Sequence, residues 1–271
     1  DNNHGDEAGR VYLLDAPPST NIDLAQDAAS TFTGVDNTKT GSSLAVVDSI
    51  NGDDFPDLLV GAPDGAKTYV IFGRSNNELP AAPSGADVEL IGMSGTDFGT
   101  AVSSAGDVNG DGAPDFMVSQ SNENGGKIFV FFGWDGPPPS DSLPAASADL
   151  ILEPEDTGDF AGTSLAEAGD VDGDGLTDLL VGATGLNEQG ASAGGAYLIL
   201  GAELRGQPDT YPLGDAIRFT SAQASAFAGS DVSALGDLND DGYDDFAVGS
   251  RLAEDGSGAI YVIFGPVLGP E

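Results

Sequence analysis

The chain has 271 residues, with 8 Lys and Arg against 45 Asp and Glu, and a net charge of −37. So acidic a chain repels nucleic-acid phosphates and anionic membranes, and its longest apolar runs, such as Ala259 to Phe264, are too short to span a bilayer. Apolar residues make up 39%, enough for a core, while the absence of cysteine excludes disulfides, thiolate metal sites and a Cys nucleophile.

In chain order, Ala8 to Asp15 reads as a hydrophobic strand and Asn21 to Gln26 as a second, more polar one. Four similar segments follow: Gly41 to Pro63, Gly99 to Ser121, Gly162 to Thr184 and Gly229 to Arg251. Their last loop aspartates, Asp57, Asp115, Asp178 and Asp245, lie 58, 63 and 67 residues apart, the mark of a stacked repeat. Each unit reads as four strands, A to D. Strand A is rich in small residues (Thr100 to Ala105) and leads through an Asp/Gly loop into an apolar strand B (Asp178 to Val181, Asp245 to Val248). Strand C is the most hydrophobic: Thr68 to Phe72, Lys127 to Phe132, Ala196 to Leu200 and Ala259 to Phe264. Strand D is more polar: Asp87 to Ile91, Asp149 to Leu152 and Asp215 to Phe219. Small residues suit a crowded innermost strand, and polar ones an outer edge. The pattern predicts an all-β fold, a β-propeller of four-stranded antiparallel blades in a single domain over 1–271. Its units are 1–27 (a partial blade), 28–93, 94–153, 154–220 and 221–271. A pair of β-sandwiches gives no reason for one loop to recur in every unit.

Asp outnumbers Glu 34 to 11, which places the acidity in loops, where Asp favours turns and caps. The third loop is the fullest: Asp170, Asp172 and Asp174 at positions 1, 3 and 5, Gly175 at 6, the Leu176 carbonyl at 7 and Asp178 at 9. Oxygens at such spacing converge because the loop curls around a point, the logic of a hard-cation site. The second loop offers Asp107, Asn109, Asp111, the Ala113 carbonyl and Asp115. The fourth offers Asp237, Asn239, Asp241, the Tyr243 carbonyl and Asp245. The first departs from this pattern, with Ser49, Asn51, Asp53, the Phe55 carbonyl and Asp57, and with Asp54 in the glycine place. It is expected to be the weakest, or to use Asp48 in a distorted loop. Ca2+ is favoured over Mg2+ by the large, flexible oxygen set, and soft metals are disfavoured because the loops hold no His or Cys. Three Ca2+ sites and a weaker fourth would neutralise only eight of the 37 net negative charges, so the remaining acidity points to adaptation to high salt.

These segments resemble the FG-GAP repeat of integrin α-subunit propellers. Phe98-Gly99 is one FG; Phe160-Ala161-Gly162 and Phe227-Ala228-Gly229 carry one inserted residue. Gly61-Ala62-Pro63 is a full GAP, Gly182-Ala183-Thr184 and Gly249-Ser250-Arg251 are degraded copies, and Val118-Ser119-Gln120 replaces it in the second repeat. The resemblance implies a calcium-stabilised propeller, extracellular or at the cell surface, that presents loops to a ligand and is part of a seven-bladed ring. The rival is a blade completed by a neighbouring chain, since the N-terminus brings strands C and D and the C-terminus A, B and C. An opening at Asp1 rather than Met fits removal of an upstream segment.

Loops A–B and C–D share one end of such a blade. That end holds the Asp loops, Trp134 and Pro137 to Pro139, while the opposite end, the ligand face by resemblance, holds Glu153 to Asp159, Gly185 to Gly194 and Arg251 to Gly258. The partner is a protein or a glycan on these loops, with self-assembly through a terminal strand as a further reading. Trp134, the only Trp, either stacks on a sugar or covers a blade edge. His4, the only His, has no partner by spacing, and no nucleophile or phosphate-loop motif is present, so the chain is read as no enzyme.

Overall fold

A computed structural model describes residues 8–14, 23–75, 78–121, 125–134, 136–186, 192–206 and 209–267. His4 and part of the Gly185 to Gly194 loop lie outside them. Strands β1 (Arg10–Leu13) and β2 (Ser30–Thr33) form an antiparallel pair. A second sheet holds β3 (Leu44–Val47), β4 (Asp57–Ala62), β5 (Lys67–Ile71) and β6 (Val88–Ile91). A third is built from β7 (Val102–Gly106), β8 (Asp115–Gln120) and β9 (Lys127–Phe131), then, past a short strand β10 (Ser142–Pro144), from β11 (Leu150–Glu153). The fourth has β12 (Ala161–Gly169), β13 (Asp178–Ala183) and β14 (Gly195–Ile199) and, past another short strand β15 (Thr210–Pro212), β16 (Ile217–Thr220). The last has β17 (Ala228–Gly236), β18 (Asp245–Ser250) and β19 (Ala259–Ile263). Within each blade consecutive strands pair antiparallel.

The cores lie between successive sheets. One joins Val11 and Phe32 to Val60 and Tyr69; the next joins Leu59 and Val70 to Phe116 and Phe131. The third unites Met117 and Val130 with Leu179 and Tyr197, and the fourth Leu180 and Leu198 with Phe246 and Val248. Central strands such as β13 are buried at every residue, which is why their sequence, DLLVGA, is a continuous rather than alternating apolar run. Face-to-face stacking of such sheets is a β-propeller, and a partial one, since among the described residues the sheets do not close.

The seam between blades explains the glycine pair that names the motif. A Cβ on Gly182 would sit 2.2 Å from the carbonyl oxygen of Gly229 in the next blade. Ser164 Oγ donates to that same oxygen at 3.0 Å, as Ser43 Oγ donates to Gly99 O at 2.9 Å one seam earlier. The two backbones approach so closely that only glycine fits. The inserted residue of the third and fourth copies is absorbed by register shifts between Ala161 and Ser164 and between Ala228 and Asp231. Phe98 is buried, whereas Phe160 is 41% exposed and Phe227 carries the Arg251 guanidinium 4.7 Å above its ring.

Two expectations are corrected. The strand expected over Asn21 to Gln26 is instead, where described, a helical turn, α1 (Leu24–Asp27); the strand is β2, which pairs with β1 and buries Phe32. Strand D is also not the outermost strand of two blades. Each receives a short parallel strand from the C–D connection of the following blade: β10 on β6 and β15 on β11. The backbone bond from Thr33 N to Ala81 O (3.1 Å) begins the same arrangement on β2. These additions cover edges that would otherwise offer free backbone groups for pairing.

Candidate metal centre

All four Asp loops have one backbone course, set by side chains bonding to their own main chain. In the third, Asp170 Oδ1 and Oδ2 accept from the N–H groups of Gly173 (2.8 Å) and Gly175 (2.9 Å). Asp172 accepts from Asp174 N (3.1 Å), and Asp174 from Leu176 N (2.8 Å). The second loop repeats this with Asp107, Asn109 and Asp111 accepting from Gly112, Asp111 and Ala113 N–H at 2.9, 2.7 and 2.8 Å. The fourth does so with Asp237, Asn239 and Asp241 at 2.9, 3.1 and 3.0 Å. The first loop, expected to be distorted if it used Asp48, keeps the course. Ser49 Oγ accepts from Asp53 N at 2.8 Å, Asn51 from Asp53 N at 3.0 Å and Asp53 from Phe55 N at 3.0 Å. Asp54 there takes the left-handed conformation (φ 70) that Gly112, Gly175 and Gly242 adopt elsewhere.

Charge separates the loops. In the first, second and fourth, the Asn amide at position 3 donates to the carboxylate at position 5: Asn51 to Asp53, Asn109 to Asp111 and Asn239 to Asp241, each at 2.9 Å. The third has Asp172 in that place and cannot make this bond. Its three carboxylates, Asp170, Asp172 and Asp174, each bring an oxygen within 4.8 Å of the others. Burial and these like-charged neighbours raise the Asp172 pKa, although its bond from Asp174 N–H lowers it. Among the described residues this is the only group of three ionisable ligand types so gathered. A hard divalent cation is the species that relieves such repulsion, so the donor set fits Ca2+.

The ninth-position aspartates behave differently from the rest. Asp57, Asp115, Asp178 and Asp245 are buried, and both oxygens of each accept backbone N–H bonds. One bond comes from position 2 of the loop: Ile50, Val108, Val171 and Leu238, at 2.9 to 3.0 Å. The other comes from a glycine beyond strand C: Gly73, Gly133, Gly201 and Gly265, at 2.8 to 2.9 Å. Burial raises Asp57 to about 6 and Asp115 and Asp178 to about 7, against the lowering effect of those bonds. These carboxylates therefore clamp the loop to the end of strand C, and each oxygen keeps lone-pair capacity beyond the bond it accepts. The four glycines escape a reading focused on acidic residues. Their signal is the recurrence of Gly after every strand C, in IFG, FFG, ILG and IFG. A Cβ on Gly201 would fall 2.5 Å from Thr177 O.

Trp134 lies at the same end. Its rings meet Phe72 and Phe116 edge-on at 6.2 and 6.0 Å, and its backbone N–H donates to Ile50 O at 2.6 Å. It thus ties the first loop to the second blade, and lines one wall of a 440 Å³ groove with Ser49 and Asp111.

Comparison with known proteins agrees with this geometry. The FG-GAP repeat family matches residues 40–76, 98–131, 161–199 and 228–263, together just over half the chain. Similar proteins include human integrin alpha-7, 34% identical over 52% of this chain and 12% of its own length, and human integrin alpha-IIb, 32% identical over 55% and 15%. Integrin alpha-3 of Cricetulus griseus is 30% identical over 64% of this chain and 16% of its own length. The matched region is thus less than a fifth of those relatives. Among the described residues, no helix is long and apolar enough to cross a membrane.

Proposed function

Since this chain belongs to the FG-GAP repeat family, we propose that it is a calcium-binding, non-enzymatic propeller segment, outside the cell or at its surface, that serves adhesion or protein interaction. The cation ligands in this reading are the side chains at positions 1, 3, 5 and 9 of each loop and the carbonyl at position 7. They run from Asp170 to Asp178 in the strongest site, from Asp107 to Asp115 and Asp237 to Asp245 in two more, and from Ser49 to Asp57 in the weakest. The observation that carries it is the gathering of Asp170, Asp172 and Asp174 without an intervening amide. Bound Ca2+ would supply charge neutralisation there, while the chain's own part is to hold the oxygens in place through the N–H bonds of Gly173, Gly175 and Leu176. The test is a calorimetric Ca2+ titration of the full chain: binding is expected, and its absence at millimolar Ca2+ overturns the proposal.

A protein partner is favoured over a glycan, because Trp134 is engaged at a blade seam. Self-assembly is the second reading. The outer edge of β19 has no strand partner among the described residues, and Tyr261 and Val262 on it are exposed, so another copy or further polypeptide can pair there. Sedimentation over a concentration series separates the two: a species that does not grow with concentration rules out self-pairing.

A further inference from the structure

The second and fourth Asp loops carry the same donor types in the same places and share most internal bonds; the second adds bonds from Gly110 N–H to Asp107 Oδ1 at 2.7 Å and from Asn109 N–H to Asp115 Oδ2 at 3.4 Å. Asp111 N meets Asp107 at 3.0 Å and Asp241 N meets Asp237 at 3.0 Å, and both Asn-to-Asp bonds are 2.9 Å. On ligand count alone the two would hold a cation equally well. They differ in charge at position 8, where Pro114 stands against Asp244, whose carboxylate accepts from Asp170 N–H of the third loop at 2.8 Å, and at position 4, between the ligands at positions 3 and 5.

In the second loop that position is Gly110, left-handed at φ 77, and the following blade lays Arg205 on it: a Cβ there would fall 2.3 Å from Nη2 and 2.8 Å from Cζ. Arg205 is exposed and forms no ion pair among the described residues, unlike Lys39, Lys67, Arg74, Lys127 and Arg218, each of which pairs with a carboxylate. Its charge is therefore not cancelled by a contact neighbour. In the fourth loop position 4 is Asp240, left-handed at φ 60 and exposed, a negative charge in the equivalent place. In the third loop the corresponding Gly173 is covered by the uncharged ring of Tyr243, with Cε1 2.5 Å from a would-be Cβ. So the occupant of this place is cationic on one loop, neutral on the next and anionic on the last.

We infer that Arg205 sets the affinity of the second loop for a divalent cation below that of the fourth, so that two sites with the same ligands fill at different cation concentrations. This rests on the calcium reading above. A guanidinium several ångströms from a dication, across solvent-exposed surface, accounts for a difference of about fivefold in affinity at low salt, shrinking toward none near 1 M salt.

The experiment is a calorimetric Ca2+ titration of the full chain at 20 mM and 1 M NaCl, for the parent, Arg205→Gln, Arg205→Lys and Arg205→Gln with Asp107→Ala. Arg205→Gln should tighten one site about fivefold at low salt and hardly at all at high salt. Arg205→Lys should stay within about twofold of the parent, since it keeps the charge. Adding Asp107→Ala should abolish the tightened site, identifying it as the second loop. Isotherms of the parent and Arg205→Gln that superimpose while Ca2+ still binds overturn the inference and leave the calcium reading standing. A weakened site in Arg205→Gln makes Arg205 a prop rather than a counter-charge and also overturns it. No binding by the parent removes both.

Discussion

The first and third Asp loops follow the same path with different chemistry. Asn51 and Asp53 make the turn bonds that Asp172 and Asp174 make, Ser49 accepts from Asp53 N–H where Asp170 accepts from Gly173 and Gly175, and the Asn51 amide answers the Asp53 carboxylate at 2.9 Å. The one carboxylate among the first three ligand positions of the first loop is thus hydrogen-bonded from within, whereas the third loop leaves three carboxylates facing one another. Turn formation and carboxylate crowding are separable properties of this motif: the spacing of oxygen-bearing side chains sets the turn, and the number of carboxylates sets the repulsion that a bound cation would relieve.

The largest expected effect tests what the two loops share. Asp57→Ala and Asp178→Ala each remove a buried acceptor and leave two backbone N–H groups unpaired. Each should cost about 3 kcal/mol in urea unfolding without metal, and Asp178→Ala should cost more than that when Ca2+ is present. If the Asp178 loss disappears when metal is chelated, that carboxylate acts only as a ligand and the shared clamp is wrong.

Next in size is the calcium increment itself. At a hundredfold excess over its dissociation constant, a site on the folded state adds about 2.7 kcal/mol, so chelation should lower the melting temperature. Asp174→Ala should remove much of that increment, and Asp53→Ala little of it. Equal losses in differential scanning calorimetry would erase the distinction between the loops.

A subtler change sharpens the comparison from the other side. Asp172→Asn gives the third loop the amide that the others possess. It should stabilise the metal-free protein by about 0.5 kcal/mol and weaken Ca2+ binding at that loop. Thermal melts with and without chelator should then move in opposite directions.

The repeat was legible because its anchors recur: the strands beginning near Asp57, Asp115, Asp178 and Asp245 all stand where the spacing puts them. The loops were legible as turns, and the third as the most acidic. What escaped depends on contacts across long separations. Ser30–Thr33 is too polar to announce itself, and pairing with Arg10–Leu13 decides it. The parallel strands Ser142–Pro144 and Thr210–Pro212 sit in connections that read as Gly/Pro/Ser loops, and only the neighbouring blade makes them strands. The double role of the ninth aspartate was hidden for the same reason, because its second partner is a glycine 16 to 23 residues away.

The smallest effect concerns Asp54. It holds φ 70 in a place where the other loops have glycine, and its side chain is exposed. An L-residue in that conformation costs roughly 1 kcal/mol, and glycine gives part of this back through the greater entropy of its unfolded chain. Asp54→Gly should therefore stabilise the protein by about 0.5 kcal/mol in urea unfolding. It should do so without strengthening Ca2+ binding, because the variant restores the turn and adds no carboxylate. A gain in affinity at the first loop would mean that backbone strain, rather than missing charge, separates it from the third.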